Sequence, residues 1–374
     1  MTWVFWASAL LIAYTYAGYM GWLWLRARIR PWPVLRSRQQ LFISIVMVVR
    51  NEEQWIEAKL RNLLELDYPQ ALYQIVVVSD GSTDRTDAIL RQHAEDPRVQ
   101  VVMNQLSRGK ASGLNDATSL AAGDVVVFTD ARQKIESGAV RLLVENFADP
   151  QVGCVSGALM LGNPESGEAY RGMGLYWRIE KKIRELESAS GSVVGSTGAL
   201  YAVRRNLLVP VPEGTILDDV YIPMHVARQE KRVIFDGRAR AWDSPNLGGG
   251  PEFSRKVRTL SGNYQLMQLA PWLITSRNPL LWRFVSHKLL RLAVPFALTA
   301  MLVASLWLNG VVYRAALVLQ LAFYALGLLA LVRLPKPSII AGAGDAAATF
   351  LLLNTAAVVA FANFVAGRKP VWSR

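Results

Sequence analysis

The 374-residue sequence has one cysteine, Cys154, and three widely spaced histidines, His93, His225 and His287. A single thiol excludes a disulfide within the chain, and histidines this far apart draw no zinc motif. Cys154 sits in an apolar run, residues 152–160, and reads as core. No GxxxxGK[ST] phosphate loop is present, and no GxGxxG follows the first candidate strand. These absences argue against an ATPase or a dinucleotide enzyme. Acidic residues are the minority, 29 against 41 Lys and Arg, for a net charge of +12. No nucleic-acid-binding module accompanies that charge, so nucleic acid is not an expected partner. Charge is missing from residues 3–25 and sparse over 293–309, 312–334 and 339–365.

Those stretches underlie a mean hydropathy of +0.21. Each reads as a membrane span, the hydrocarbon core being about 30 Å thick and a helix rising about 1.5 Å per residue. Residues 3–25 lack the basic start and the cleavage site of a signal peptide, so they read as an anchor. Arg314, Asp345 and Asn354 interrupt the later stretches, which favours a packed bundle over isolated spans. Arg26, Arg28, Arg30, Arg36 and Arg38 follow the first stretch, and Arg277, Arg283, Lys288 and Arg291 precede the second. This bias puts the intervening region on the cytoplasmic side and draws the chain to anionic membrane lipids. Arg368, Lys369 and Arg374 then fall on the disfavoured side. Residues 339–365, with Gly342, Gly344 and Asp345, are therefore suspected of being a broken or re-entrant helix. Residues 271–292 mix Trp272, Trp282 and Phe284 with cations and are expected to lie on the membrane surface.

The region between alternates. Apolar, β-branched runs at 41–49, 73–79, 99–103 and 124–129 read as strands, and 53–66, 84–94 and 110–122 as helices. The alternation indicates an α/β fold with a Rossmann-like, mostly parallel sheet covered on both faces. Such sheets bind ligands beyond the carboxyl ends of their strands. The loops there carry Arg50-Asn51-Glu52, Asp80-Gly81-Ser82-Thr83-Asp84, Arg108-Gly109-Lys110 and Asp130-Ala131-Arg132. Acids and bases converging on one rim suit a ligand with base, ribose and diphosphate. Asp84 reads instead as a helix cap.

The segments VVRNEE, VVVSDGSTD, RGKASGLNDA, VVFTDA, STGALYAVRR and LDDVYIP occur in that order within residues 41–262. The series resembles the membrane-bound family 2 glycosyltransferases. The resemblance implies an inverting enzyme with a GT-A domain at 41–250. It implies an N-terminal transmembrane helix at 1–26, a basic linker at 27–40, amphipathic interface helices at 251–291 and transmembrane helices at 292–374. Arg50, Asn51, Glu52, Asp80, Ser82 and Lys110 would bind nucleotide. Asp130 would hold Mg²⁺ or Mn²⁺. Asp219 would be the catalytic base, with Asp218 beside it. Gly198 and Ala199 would line the acceptor side; Trp177, in an upstream stretch, either contacts acceptor or sugar there or simply packs. The implied donor is a UDP-sugar, and the implied acceptor is lipid-linked or a glycan at an inner (plasma) membrane.

Two departures qualify that resemblance. Asp130-Ala131-Arg132 stands where the family has DxD, so the second acid is absent. One carboxylate suffices where diphosphate oxygens and waters complete the coordination of Mg²⁺. Arg132 is expected to pair with Glu136 or to reach the diphosphate. Residues 252–261 stand where polymer-extruding relatives carry QxxRW, but no tryptophan follows Arg258. This favours one sugar per encounter over a processive polysaccharide synthase. Arg255 and Arg258, three apart on a helix, either clamp the diphosphate or form a solvated basic face. A catalytically silent membrane-assembly partner is the remaining alternative, and retention of Asp80, Asp130 and Asp219 argues against it. Asp219, with an ordinary pKa of about 3.9, would be ionised at neutral pH without special tuning.

Overall fold

The computed structural model describes residues 1–162, 175–243, 249–332 and 338–368. Eight strands form one sheet: β1 (Ile43–Val49), β2 (Tyr73–Asp80), β3 (Val99–Asn104), β4 (Val125–Phe128), β5 (Lys134–Ile135), β6 (Val152–Leu161), β7 (Tyr201–Arg204) and β8 (Arg232–Asp243). Their order is β3-β2-β1-β4-β7-β6-β8-β5. β1 to β4 are parallel. β7 runs antiparallel between β4 and β6, β6 and β8 are parallel, and β5 closes the edge antiparallel to β8. Every residue of β1 is buried. Val46 and Val48 enter one core, while Ile45, Met47 and Val49 enter the other, as the two-residue period of a strand requires.

Among the described residues, three helices are long and apolar enough to cross a membrane: Leu281–Trp307, Val311–Leu331 and Gly342–Val365. The last lies within one continuous helix, Ser338–Val365, so the expected break at Gly342 and Gly344 does not occur. A glycine weakens a helix by about 1 kcal/mol but leaves its backbone hydrogen bonds in place. Lys369 and Arg374 lie outside the described residues. The N-terminal segment is helical as Thr2–Ala13, a π-turn Tyr14–Gly18 and Tyr19–Ile29. It does not reach the apolarity of the other three, because Tyr14, Tyr16, Tyr19, Trp22 and Trp24 stand in for aliphatic residues. Its first part packs along Leu290–Trp307.

Residues 271–292 do not all lie on a surface as expected. Trp282 is exposed, but Arg283 and His287 turn inward. Arg283 donates to the carbonyls of Glu187 and Ser192, both at 2.6 Å, and of Ser190 at 2.8 Å. Gly191, at φ +150°, leaves room for that guanidinium, since a Cβ there would lie 2.9 Å from Nη2. The His287 ring sits between Glu187 Oε1 at 2.9 Å and Glu180 Oε1 at 3.0 Å. Tyr19 donates to Glu187 at 2.5 Å. These bonds join the Leu175–Ala189 helix of the sheet domain to the helix that begins at Leu281.

Candidate active site

A cleft of about 1050 Å³ opens beyond the carboxyl ends of β1 and β4. Gly109, at φ +91°, makes a turn that favours glycine and starts the helix Lys110–Ser119. The Lys110 ammonium therefore reaches Asp130 Oδ1 at 3.0 Å and Asp218 Oδ2 at 3.4 Å. Burial opposes its charge, but Asp130 and Asp218 outweigh that and hold the lysine protonated well above its usual range.

Asp218 and Asp219 open the helix Asp218–Arg228, where the helix dipole favours acids. The Asp219 carbonyl accepts from Ser196 N at 2.7 Å and Ser196 Oγ at 2.9 Å. This ties the helix start to the loop carrying Gly198 and Ala199. A Cβ on Gly198 would lie 3.5 Å from Asp130 Oδ2 and 3.7 Å from Asp219 Oδ2. The two acids thus flank one residue that has no side chain. Burial, and then the neighbouring Asp218 charge, push the Asp219 carboxyl up to about 6, against the pull of Lys110. The ordinary value expected from sequence is therefore corrected upward, because this carboxylate is partly buried beside another. Both aspartates line the cleft, but Asp218 is engaged by Lys110.

The loop carrying Asp130 rests on a lysine that the sequence reading overlooked. Lys59, 2% exposed, donates to Thr129 Oγ1 at 2.8 Å and to the Gln133 carbonyl at 2.7 Å. Burial lowers its pKa to about 7. Arg132 does not pair with Glu136. It makes a two-pronged bridge to Asp243, Nε–Oδ1 3.0 Å and Nη2–Oδ2 2.6 Å. The reason is the β5–β8 pairing, Lys134 opposite Trp242, which brings the end of β8 beside the loop. Glu136 accepts from Trp242 Nε1 instead, at 2.7 Å.

Arg50, Glu52, Arg132, Ala199, Trp177, Arg255 and Arg258 also line the cleft. The Lys256 ammonium lies 5.1 Å from the centre of the Trp177 ring. Asp80, Asn51 and Ser82 do not line it, because their side chains are spent on neighbouring loops. Asp80 is fully buried and accepts from Ser107 Oγ at 2.7 Å, Arg108 N at 2.8 Å and Gly109 N at 2.9 Å. It thereby holds the turn that presents Lys110. Asn51 Oδ1 accepts from Thr83 N at 2.8 Å, and Ser82 Oγ accepts from Asn51 N at 3.2 Å. Asp84 does act at a helix start, accepting from Thr86 N at 2.9 Å.

Among the described residues, no three His, Cys, Asp or Glu gather in a metal-binding group.

Lys59 and Asp243 left faint signals. Lys59 falls three positions after Ile56, on the helix face that Ile56, Leu60 and Leu63 bury. Asp243 ends a strand-like run. Nothing local marks Glu180, Arg184 or Lys288, which also line the cleft.

Residues 44–209 match the family model described as Glycosyl transferase family 2. A Beta-monoglucosyldiacylglycerol synthase of Synechocystis sp. is 25% identical over 295 residues, covering 76% of this chain and 60% of that protein. A Poly-beta-1,6-N-acetyl-D-glucosamine synthase of Staphylococcus epidermidis is 24% identical over 234 residues, 62% of this chain and 56% of that protein. The chain thus spans less than two thirds of either curated relative. Mannosyltransferase PcManGT from Pyrobaculum calidifontis, solved in complex with GDP-Man and Mn²⁺, superposes with a TM-score of 0.74 at 23% identity. The superposition covers 97% of this chain and 99% of that one. Residues 44–209 thus carry a family 2 glycosyltransferase domain, within a chain that has the GT-A fold.

Proposed function

We propose that this family 2 glycosyltransferase moves a sugar, with inversion, from a UDP-sugar to a lipid-linked or glycan acceptor at the inner membrane. The observation that carries the reading is the placement of Asp130 and Asp219 on either side of Gly198, with Lys110 bonded to Asp130. The space over Gly198 takes the sugar. An acceptor hydroxyl attacks the anomeric carbon from the face opposite the diphosphate. The new C–O bond forms as the C–O bond to the diphosphate breaks, and the hydroxyl proton passes to Asp219. A carboxylate near pKa 6 is charged at neutral pH, yet it is a stronger base than a surface aspartate.

Lys110, with Arg255 and Arg258 of the same cleft, stabilises charge on the departing diphosphate. A Mg²⁺ or Mn²⁺ brought by the donor, held by Asp130, supplies further positive charge there when bound. One protein carboxylate is within what Mg²⁺ accepts when phosphate oxygens and waters complete six positions. Glu52 and Arg50, at the end of β1, take the nucleoside side. Asp80, Asn51 and Ser82 act indirectly, by fixing the loops on which those groups stand.

The three apolar helices, with the N-terminal helix alongside, support a multi-pass chain, and the basic flanks support a cytoplasmic position for the sheet domain. The residue after Arg258 is Thr259, and the glycolipid-synthase relative also supports single transfer. The test is a donor screen. Nucleotide release from the purified full chain is read with UDP-, GDP- and dTDP-sugars, with and without EDTA. Release confined to one UDP-sugar and abolished by EDTA is expected. Preference for a GDP-sugar would overturn the donor assignment, and EDTA-resistant turnover would overturn the metal.

A further inference from the structure

Beyond Asp219 the cleft continues toward the membrane, and its wall changes character. Lys181 and Arg184 enter it from the helix Leu175–Ala189, and Lys288 and Arg291 from the helix beginning at Leu281. Arg184 and Arg291 share one carboxylate, Glu180, at 3.4 and 2.8 Å. His287 occupies the same carboxylate. Lys181 and Lys288 line the cleft half-buried and enter no ion pair or hydrogen bond among the described residues. Four cations thus line this wall, where Glu180 is already in use and Asp219 lies nearby. Half-buried ammonium groups with no ion pair of their own are unfavourable, so this wall favours an anion. Lys288 and Arg184 lie close enough to Asp219 for their charge to act on its carboxyl.

A second observation points the same way. Ser261 and Asn263, 7% and 4% exposed, line the cleft from the helix Gly249–Leu269. Ser261 Oγ and Asn263 Oδ1 are buried with no hydrogen-bond partner among the described residues. Buried polar atoms are normally paired, so these two are left for a ligand. A third feature is apolar. Leu353 and Val359 line the cleft from a helix apolar enough to cross a membrane. On the reading that Lys110 meets the donor's diphosphate, a second anion belongs to the acceptor.

We propose that this end of the cleft binds a glycerophospholipid acceptor whose headgroup carries a phosphate beside a free hydroxyl. Lys288 and Arg184 take the phosphate, Ser261 and Asn263 the headgroup hydroxyls, and Leu353 and Val359 the first carbons of the lipid chain. The assignment rests on the reading of Asp219 as base, because it turns the free hydroxyl toward that carboxylate.

The test uses the full chain in detergent and measures binding rather than turnover. Native mass spectrometry follows titration with phosphatidylglycerol, with neutral diacylglycerol and with water-soluble glycerol phosphate. UDP binding is measured in parallel by calorimetry. Phosphatidylglycerol is expected to bind about tenfold or more tighter than either other probe, a difference of about 1.4 kcal/mol. Lys288→Gln is expected to remove most of that preference and Lys288→Arg to restore it. Arg314→Gln, at an exposed cation on another apolar helix, should change neither lipid nor UDP binding. Diacylglycerol binding as tightly as phosphatidylglycerol, or a Lys288→Gln variant with full preference, would overturn the proposal. Glycerol phosphate matching the lipid would also overturn it, by removing the apolar contact. UDP binding that survives all variants leaves the donor reading intact, whereas failure of the wild-type chain to bind UDP would sink that reading separately.

Discussion

The two ends of the cleft are held together in opposite ways. At the donor end, successive strand–helix loops of a parallel sheet are stitched by short polar bonds, as Asp80 holds residues 107–109 and Asn51 holds Thr83. At the membrane end, the wall is assembled by helices far apart in the chain. His287 meets Glu180 across 107 residues, and Arg283 meets the Glu187 carbonyl across 96. Chemistry at the first end depends on loops that a parallel sheet aligns by topology. Acceptor handling at the second depends on how the helices dock. Substitutions at the donor end should therefore alter rate, and substitutions at the dock should alter stability.

Lys110→Met sharpens this contrast most. Removing a positioned charge from the leaving-group side should lower kcat about 10²–10³-fold, read as nucleotide release at saturating donor. Arg283→Met is the counterpart at the dock. Three buried carbonyls lose a charged donor, at a cost of about 3 kcal/mol, so the melting temperature in detergent falls while the KM for donor holds. If Arg283→Met left stability intact and raised that KM, the division between the two ends would collapse. Gly198→Ala should fall between them. Its methyl meets Asp130 and Asp219 at ordinary contact distance, so folding is spared. It intrudes where the sugar must sit, and misplacement of this size costs about 10²-fold in rate.

A smaller effect concerns pH. Asp219 works as its carboxylate, so kcat/KM should fall as pH drops through about 6. Asp218→Asn removes an adjacent negative charge, which makes the ionised form of Asp219 easier to reach. The acid limb should then move to lower pH, visible in a pH–rate profile. A limb unmoved by Asp218→Asn would assign it to another group. The smallest effect is expected at Cys154, buried between the sheet and its helices. Cys154→Ala should cost about 1 kcal/mol of stability and leave activity unchanged.

The donor end was largely legible in the sequence because each strand there is a continuous apolar run ending in a polar loop. Asp130, Lys110, Asp218 and Asp219 each sit within two residues of such a boundary or helix start. Asp80 was assigned to the ligand because a strand-end acid looks the same whether it faces the cleft or a neighbouring backbone. Arg132 was paired with the nearby Glu136 because the strand pairing that brings Asp243 close is not visible locally. The basic residues 283–291 resembled a membrane-surface flank, since a lysine or arginine beside an apolar run carries no mark of which way it turns. Burial of Arg283 and His287 follows from Glu187 and the loop at 190–192, roughly a hundred residues upstream.

The central claim is that Asp219 takes the acceptor's proton in a cleft it shares with the donor's diphosphate. The direct measurement is Asp219→Asn in the full chain, assayed for sugar transfer and for UDP binding in the same preparation. UDP affinity within about twofold of wild type with transfer reduced about 10³-fold or more is the expected result. Transfer retained within tenfold of wild type, with UDP bound normally, would contradict it.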